Sequence, residues 1–270
     1  MSRLRSTRST RSTRSTPAPL RQAALLDALD HRPWPLPERR WLLAETFADV
    51  LLAHWRVPVV DLERLVPAPL ALDLFDGEAW LGITAARVGG VRLRGTLPVP
   101  RLSSFLQLAV QTYVTAEGRP GIFPFSLDAS SALVAEVTRR IYGLPLHRAR
   151  MSAERRGEEL RFSSVRRGSP APPIVFDAGY RAGGPAITAE DGSLEHFLVE
   201  RYRIYAVDLG GALLAAELHG LPWSLRPAEA EIGLNTLEPP GLELGEEPAA
   251  LHLADRHDLL VWPLEPAAAT

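Results

Sequence analysis

FLQLAVQTYVTAEGRPGIFPFSL, residues 105–127, reads as two strands joined by a turn. Side chains alternate across a strand. Leu106, Leu108, Val110, Thr112 and Val114 therefore share one side, and Phe105, Gln107, Ala109, Gln111, Tyr113 and Thr115 share the other. AEGRPG (Ala116–Gly121) returns the chain into Ile122–Leu127. Hairpins at this spacing imply antiparallel pairing. A buried glutamine without partners costs ~1–3 kcal/mol. Two on one face leave three readings: a wet face, an internal polar network, or a ligand cavity lined with uncharged donors and acceptors.

The same β character extends in both directions. Leu70–Leu74 and Ala79–Ala85 flank FDGEAW, whose Asp76-Gly77 is a hairpin signal. A Gly-, Pro- and Arg-rich loop is expected over Gly89–Pro100, and strands over His147–Ala153, Leu160–Arg166, Ile174–Asp177, Tyr202–Val207, Leu213–Leu218, near Glu231, and Leu259–Leu264. Leu20–Asp30 and Ser193–Arg201 have the spacing of short helices. A further helix is expected after Ser130 or Ser131, with Leu133, Val134, Val137 and Ile141 as its apolar stripe, Arg139 and Arg140 in its last turn, and Gly143 and Pro145 as its stop. Trp41–Trp55 suits either a helix or a buried strand. One α+β domain over residues 21–270, with an antiparallel barrel or cone as its core, is the economical reading.

Composition excludes several classes of function. The chain has 270 residues, no cysteine, and 30 basic residues that are all arginine. Without cysteine there is no disulfide or thiolate chemistry. Without lysine no side-chain amine can form a Schiff base. Residues 1–21 hold six arginines and no acid, which leaves the body with a net charge of about −8. An acidic body argues against nucleic-acid binding by the folded domain. The RST repeat from Arg5 to Thr16 has nothing apolar to bury, so residues 1–20 are expected to form a disordered tail. No apolar run approaches a membrane span, so no membrane partner is expected and a cytoplasmic location is. GxSxG, P-loop, GxGxxG and HExxH motifs are absent, so no cofactor or metal is expected.

Five ordered motifs, LLAHWRVPVVDLERLVPAPLALDLFDGEAWLGI, QTYVTAEGRPGIFPFSLDASSALV, LEHFLVERYRIYA, ELHGLPWSL and LLVWPL, resemble the YqjF-like family of bacterial domains of unknown function over about residues 41–265. That family is distantly similar to the acetoacetate decarboxylase-like fold, which implies a sheet curled around a cavity. The decarboxylase chemistry of that fold runs through a lysine imine. Guanidinium stays protonated and forms no imine, so the activity does not follow from the likeness. The family's strand resembles ELNVRTYV, where this chain has Gln107, Ala109 and Gln111. Its HxPW-like motif has Gly220 before Leu221, with His219 just upstream.

These readings converge on a small organic ligand, in one form a carboxylated one, with Arg87, Gln107, Gln111, Tyr113, Glu200, Tyr202 and His219 as its polar lining. Glu200 is a candidate partner for Arg87. Glu217 and His219 share a strand face, so a carboxylate could poise the imidazole. A lyase or hydrolase using Glu200 or His219 as acid/base, and a non-catalytic structural protein, stay open beside this reading. His252, Asp255, His257 and Asp258 read as a solvated turn, and Trp80, Trp223 and Trp262 as core plugs.

Overall fold

A computed structural model describes residues 16–99, 103–136, 146–167, 172–208, 210–237, 239 and 241–267. Its strands are β1 (Leu43–Val57), β2 (Ala71–Leu72), β3 (Ala79–Leu93), β4 (Phe105–Ala116), β5 (Arg119–Ala129), β6 (Leu146–Arg148), β7 (Arg150–Arg156), β8 (Glu159–Arg166), β9 (Ile174–Ala182), β10 (Ile187–Thr188), β11 (Arg203–Val207), β12 (Leu213–His219), β13 (Ser224–Asn235), β14 (Ala250–Val261) and β15 (Glu265–Pro266). The helices are short: α1 (Ala18–Ala24), α2 (Val59–Glu63), α3 (132–136) and α4 (Leu194–Val199). The fold is α+β and dominated by sheet.

Seven strands form a closed ring in the order β1-β3-β4-β5-β11-β12-β14, with β14 pairing back to β1. The closure at β12–β14 runs through Leu218↔Val261 and His219↔Leu260. Neighbours in the ring are antiparallel except β5 and β11, which meet in parallel at Ile122↔Ile204. That parallel step departs from the all-antiparallel expectation. Between the two strands the chain passes through β6–β10 and α4, so they are not joined as a hairpin.

Past β14 the sheet continues through β13, β9, β8 and β7. This arm folds over the outer face of β1, β3 and β4. There Leu51, Ala53, Trp55, Leu81, Ile83, Leu108 and Val110 pack against Leu160, Phe162, Phe176 and Tyr180. A second set of clusters faces the ring interior. It draws on all seven ring strands and is joined through Ile122, Ile204 and Leu264.

β1 is thus buried on both faces, which explains its ambiguity in sequence. A strand between two cores loses its period-2 alternation, and pairing with β3 and β14 decides the conformation. Asp49 sits in this strand at φ 54°, at a shift in register against β3. Aspartate tolerates this left-handed geometry better than most residues. The shift lets Phe47 and Val50 both contribute to the same interior cluster.

Several boundaries differ from the sequence reading. Strand β3 runs on to Leu93, so half of the expected 89–100 loop is sheet. The Leu20–Asp30 helix begins earlier, at Ala18, and ends in a 3-10 turn over Leu25–Asp27. Residues 18–20 therefore belong to α1 and not to a tail. Helix α3 is capped by Ser131, whose hydroxyl accepts from the Val134 amide at 3.3 Å. Its expected continuation through Val137, Arg139, Arg140, Ile141, Gly143 and Pro145 lies outside the described residues. Leu133, placed on the apolar stripe, is exposed. The 252–258 segment is the middle of β14 and not a turn. Trp80 and Trp262 are buried, Trp262 beneath the N-terminal segment beside Leu25 and Trp41, while Trp223 is half-buried.

Gly121 tests the closure directly. A Cβ there would lie 2.6 Å from the Arg203 carbonyl oxygen and 2.7 Å from the Tyr205 ring, at the parallel step. Overpacking typically costs ~1–3 kcal/mol, and more where backbone must move. Gly121→Ala is expected to lower the unfolding free energy from urea titration by at least that much, whereas Gly118→Ala, next to open space, is expected to cost only the strain of its positive φ.

Candidate functional site

Two polar groupings lie on the ring, and they differ in one respect: whether their members already have partners.

The first closes one end of the ring. Arg32, from the segment after the 3-10 turn, donates to Glu217 at 3.0 Å, and the Trp34 indole donates to the same oxygen at 2.7 Å. The Arg32 guanidinium also lies 4.9 Å from the centre of the Tyr202 ring. Tyr202 donates to Glu200 at 2.6 Å, and the other Glu200 oxygen accepts from the Trp223 amide at 2.8 Å. His219 bonds the Leu25 carbonyl at 2.8 Å, and His31 bonds the Gly220 carbonyl at 2.8 Å with its ring 5.6 Å from that of His219. His257 stacks on Trp223 at 3.8 Å. Burial, with His219 and His31 nearby, lowers its pKa to about 3 against the opposing pull of Asp258. The gap among Glu200, Tyr202, His219 and Trp223 holds only about 10 Å³. Here Glu200 is committed to the Tyr202 hydroxyl and the Trp223 amide, while Tyr202 and His219 meet Arg32 and the Leu25 carbonyl of the 25–34 segment. They fasten that segment over the ring end.

Arg87 stands elsewhere. The register Ala86↔Gln107 places Ala86 on the interior face, so Arg87 points outward. It donates to Asp49 at 3.1 Å and to the Ala153 carbonyl, and Arg155 reaches the other Asp49 oxygen at 2.6 Å. Arg87 does not meet Glu200. Together the two arginines hold the Asp49 bulge against the folded-over arm.

The second grouping faces the interior. Gln107 lies between Ala86 and Ala129, and Gln111 between Gly82 and Pro124. Tyr113 is fully buried beside them. A Cβ on Gly82 would meet the Tyr113 hydroxyl at 3.2 Å and the His54 ring at 3.1 Å, so glycine is what lets those two groups approach across β3. The Arg201 guanidinium covers the Tyr113 ring at 4.9 Å while paired to Asp73 and to the Phe197 carbonyl. Tyr113 is kept neutral: burial raises its pKa, opposed by Arg201 and by Gln111, whose amide is close without full hydrogen-bond geometry. Both His54 nitrogens, the Thr84 hydroxyl, the Tyr113 hydroxyl and His252 Nδ1 are buried without hydrogen-bond partners in the structure. Burial, then the neighbouring His252, lowers the His54 pKa to about 3. His252 Nε2 lies 3.7 Å from Glu195 on α4, at the rim.

Glu45 joins this interior. Its neighbours Ala44 and Thr46 both face outward under α1, Ala44 against Leu25 and Thr46 bonded to Gln22 and Asp258. Alternation turns Glu45 inward, between Leu43 and Phe47 and opposite Leu259, all members of interior clusters. No hydrogen bond or ion pair holds its carboxyl among the described residues, and burial alone raises its pKa to about 7. Although enclosed, Glu45, Phe47, Phe105, Gln107, Gln111, Ile122, Ile204 and Leu259 all keep partly accessible surface. The inward rows are therefore not packed shut at these positions, and the polar groups there are uncharged amides plus one carboxyl near neutrality.

Of the seven residues expected from sequence, the structure brings Gln107, Gln111 and Tyr113 together, groups Glu200, Tyr202 and His219 at the ring end, and leaves Arg87 apart. Glu45, His54, Thr84 and His252 were missed. Their signal is a polar residue in an otherwise apolar strand, readable only once the strand and its parity are known. No group of three or more His, Asp or Glu suited to a metal ion occurs among the described residues.

Solved structures of acetoacetate decarboxylase-like proteins share this fold. The acetoacetate decarboxylase of Legionella pneumophila superposes with a TM-score of 0.60 at 15% identity, covering 90% of this chain and 95% of that one. An acetoacetate decarboxylase-like enzyme from Sphingomonas wittichii RW1 gives 0.59 at 15%, covering 89% and 98%. The enduracididine biosynthesis enzyme MppR, complexed with pyruvate, gives 0.59 at 12%, covering 89% and 94%. At these identities the likeness is one of fold. The chain belongs to the DUF2071 family of uncharacterized conserved proteins, whose profile matches residues 44–258. The uncharacterized protein YqjF of Bacillus subtilis (strain 168) is 38% identical over 230 residues, 85% of this chain and 94% of that protein.

His54 and His257 make the fold sensitive to acid. Each has a folded pKa of about 3 against an ordinary 6.5, so between these values the unfolded chain binds the extra proton. Stability is then full above pH 6.5 and falls as pH drops, by up to ~1.4 kcal/mol per pH unit per histidine. Glu45, raised from 4.5 to about 7, acts in the opposite sense over 4.5–7. Asp128, raised to about 6 by burial against the pull of Arg166, adds to Glu45, while burial also lowers the pKa of His219 and of His252. With four histidines against two carboxyls, thermal melts are expected to show a net loss of stability from pH 6.5 to 5, and His54→Gln is expected to flatten that slope.

Proposed function

We propose that the protein binds a small organic molecule inside the strand ring, without imine chemistry. The observation that carries this is the set of inward polar groups without protein partners: the Gln107 amide and, several rows along the ring wall beyond Phe105 and Phe47, the Glu45 carboxyl, both keeping accessible surface. Amides and carboxyls left unsatisfied indoors cost stability, and a ligand that bonds them recovers it. The fold supports the reading, since a neighbour at this level of likeness holds pyruvate. The absence of lysine separates this chain from imine-forming chemistry. A carboxylated ligand clamped by Arg87 loses its support, because Arg87 points outward to Asp49.

One observation favours catalysis as a second reading. Glu45, with a pKa of about 7, can both give and accept a proton near neutrality. In an acid/base mechanism it takes the role that the sequence suggested for Glu200 or His219, both of which are committed to structural bonds.

A thermal-shift screen of small acids, keto acids, aldehydes, amides and amines tests the binding reading. A ligand at ~100 times its dissociation constant adds ~2.7 kcal/mol, or about 5–10 °C for a chain of this size. Such a shift is expected in the wild type and is expected to be lost in Gln107→Leu. No shift with any class, or an equal shift in the variant, would overturn the site.

A further inference from the structure

Resting on that reading, we infer that the ring-interior site takes a small organic cation, an ammonium or amidinium group, with the Glu45 carboxylate as its counter-charge. The inference begins with what faces the space. Phe47 precedes the interior on β1 two residues from Glu45, and Val88 on β3 pairs with both Phe47 and Phe105, so two aromatic rings flank one row of the wall. Gln107 follows two residues after Phe105 and offers an amide. Aromatic faces and carbonyl oxygens stabilise a cation, and neither stabilises an anion.

The charged groups around Glu45 point the same way. On β14, His257 is stacked on Trp223 and kept neutral, and Asp258 faces outward to Arg21 and Thr46. On β3, Arg92 lies outside the ring, bonded to Gln22 and stacked over Trp41. On β12, Glu217 is held by Arg32 and Trp34, and His219 by the Leu25 carbonyl. On β11, Arg203 faces Glu117 and Glu217 on the outer side. Arg201, the guanidinium above Tyr113, is paired to Asp73. No described arginine or histidine forms an ion pair with Glu45, and no neighbouring charge contributes to its raised pKa. A carboxylate ligand would bring a second negative charge into a low-dielectric space beside it, whereas a cation completes an ion pair. The net charge of about −8 on the body raises the local concentration of cations at its openings.

Proton linkage distinguishes the ligand classes. Isothermal titration at pH 7, in two buffers of different ionisation enthalpy, would compare benzylammonium and tetramethylammonium with benzoate, pyruvate and benzamide. With the Glu45 carboxyl half protonated near pH 7, binding of either ammonium ion is expected to release ~0.5 proton, and its affinity to rise ~10-fold per pH unit below 7 before levelling off. Glu45→Gln is expected to remain folded, to melt at a higher temperature than wild type above pH 7, to bind the ammonium ions at least 10-fold more weakly, and to release no proton. Binding of benzoate or pyruvate with proton uptake, or binding of ammonium ions unchanged in Glu45→Gln, would overturn this inference and leave interior binding standing. Failure of every compound to bind, amide included, would overturn both.

Discussion

The pairing of β12 with β14 is the constraint on which the rest depends. It joins Leu218 to Val261 and His219 to Leu260, and so converts a long sheet into a ring. Once the ring is closed, alternation leaves each strand one inward and one outward row. The outward rows are satisfied by the folded-over arm, by α1 and by the 25–34 segment. The inward rows meet one another and, at parts of the ring, α4 through Leu194, Phe197, Leu198 and Val199 and α3 through Ala135. Aliphatic residues from seven strands fill much of that space, and the polar minority is left facing what remains.

That minority is costly. The raised pKa of Glu45 corresponds to about 3 kcal/mol of stability forgone above neutral pH, a value softened by the partial accessibility of its side chain. His54, with neither nitrogen bonded, adds a penalty in acid. The ring end behaves differently: its groups are bonded, stacked or ion-paired, and even Glu217 Oε1, which accepts no hydrogen bond, has Arg203 at 3.4 Å and Arg119 at 3.5 Å. Paired polar groups explain a structure, and unpaired ones in an enclosed space call for a ligand. On that contrast the site is assigned to the ring interior and not to its end.

How far the sequence could be read followed the number of cores each segment touches. β4 has an inward row carrying Gln107, Gln111 and Tyr113 and an outer row that is apolar but for Thr112, so its alternation was plain and those three residues were read onto one face. β1 is apolar on both sides and interrupted at Asp49. It gave no period, and Glu45 and His54 stayed hidden within it. Arg87 was misassigned by one step of parity: with β3 ended at Ala85, nothing showed that Ala86, opposite Gln107, takes the inward position. Glu200, Tyr202 and His219 were grouped usefully but given the wrong task. Their partners Leu25, Arg32 and Trp34 come from a segment some 170–190 residues earlier, and no local pattern announces such contacts. The family resemblance supplied the curled sheet that local signals alone left open.

The central claim is that Glu45 is an unpaired carboxyl inside the ring. Its ionisation can be followed directly by the carboxyl carbon-13 resonance of glutamate-labelled protein, assigned by its loss in Glu45→Gln. The account predicts a midpoint near 7 for the ligand-free protein. A midpoint near the ordinary 4.5 would show that the carboxyl is solvated or paired to a cation, and would contradict both the interior placement and the charge of the site.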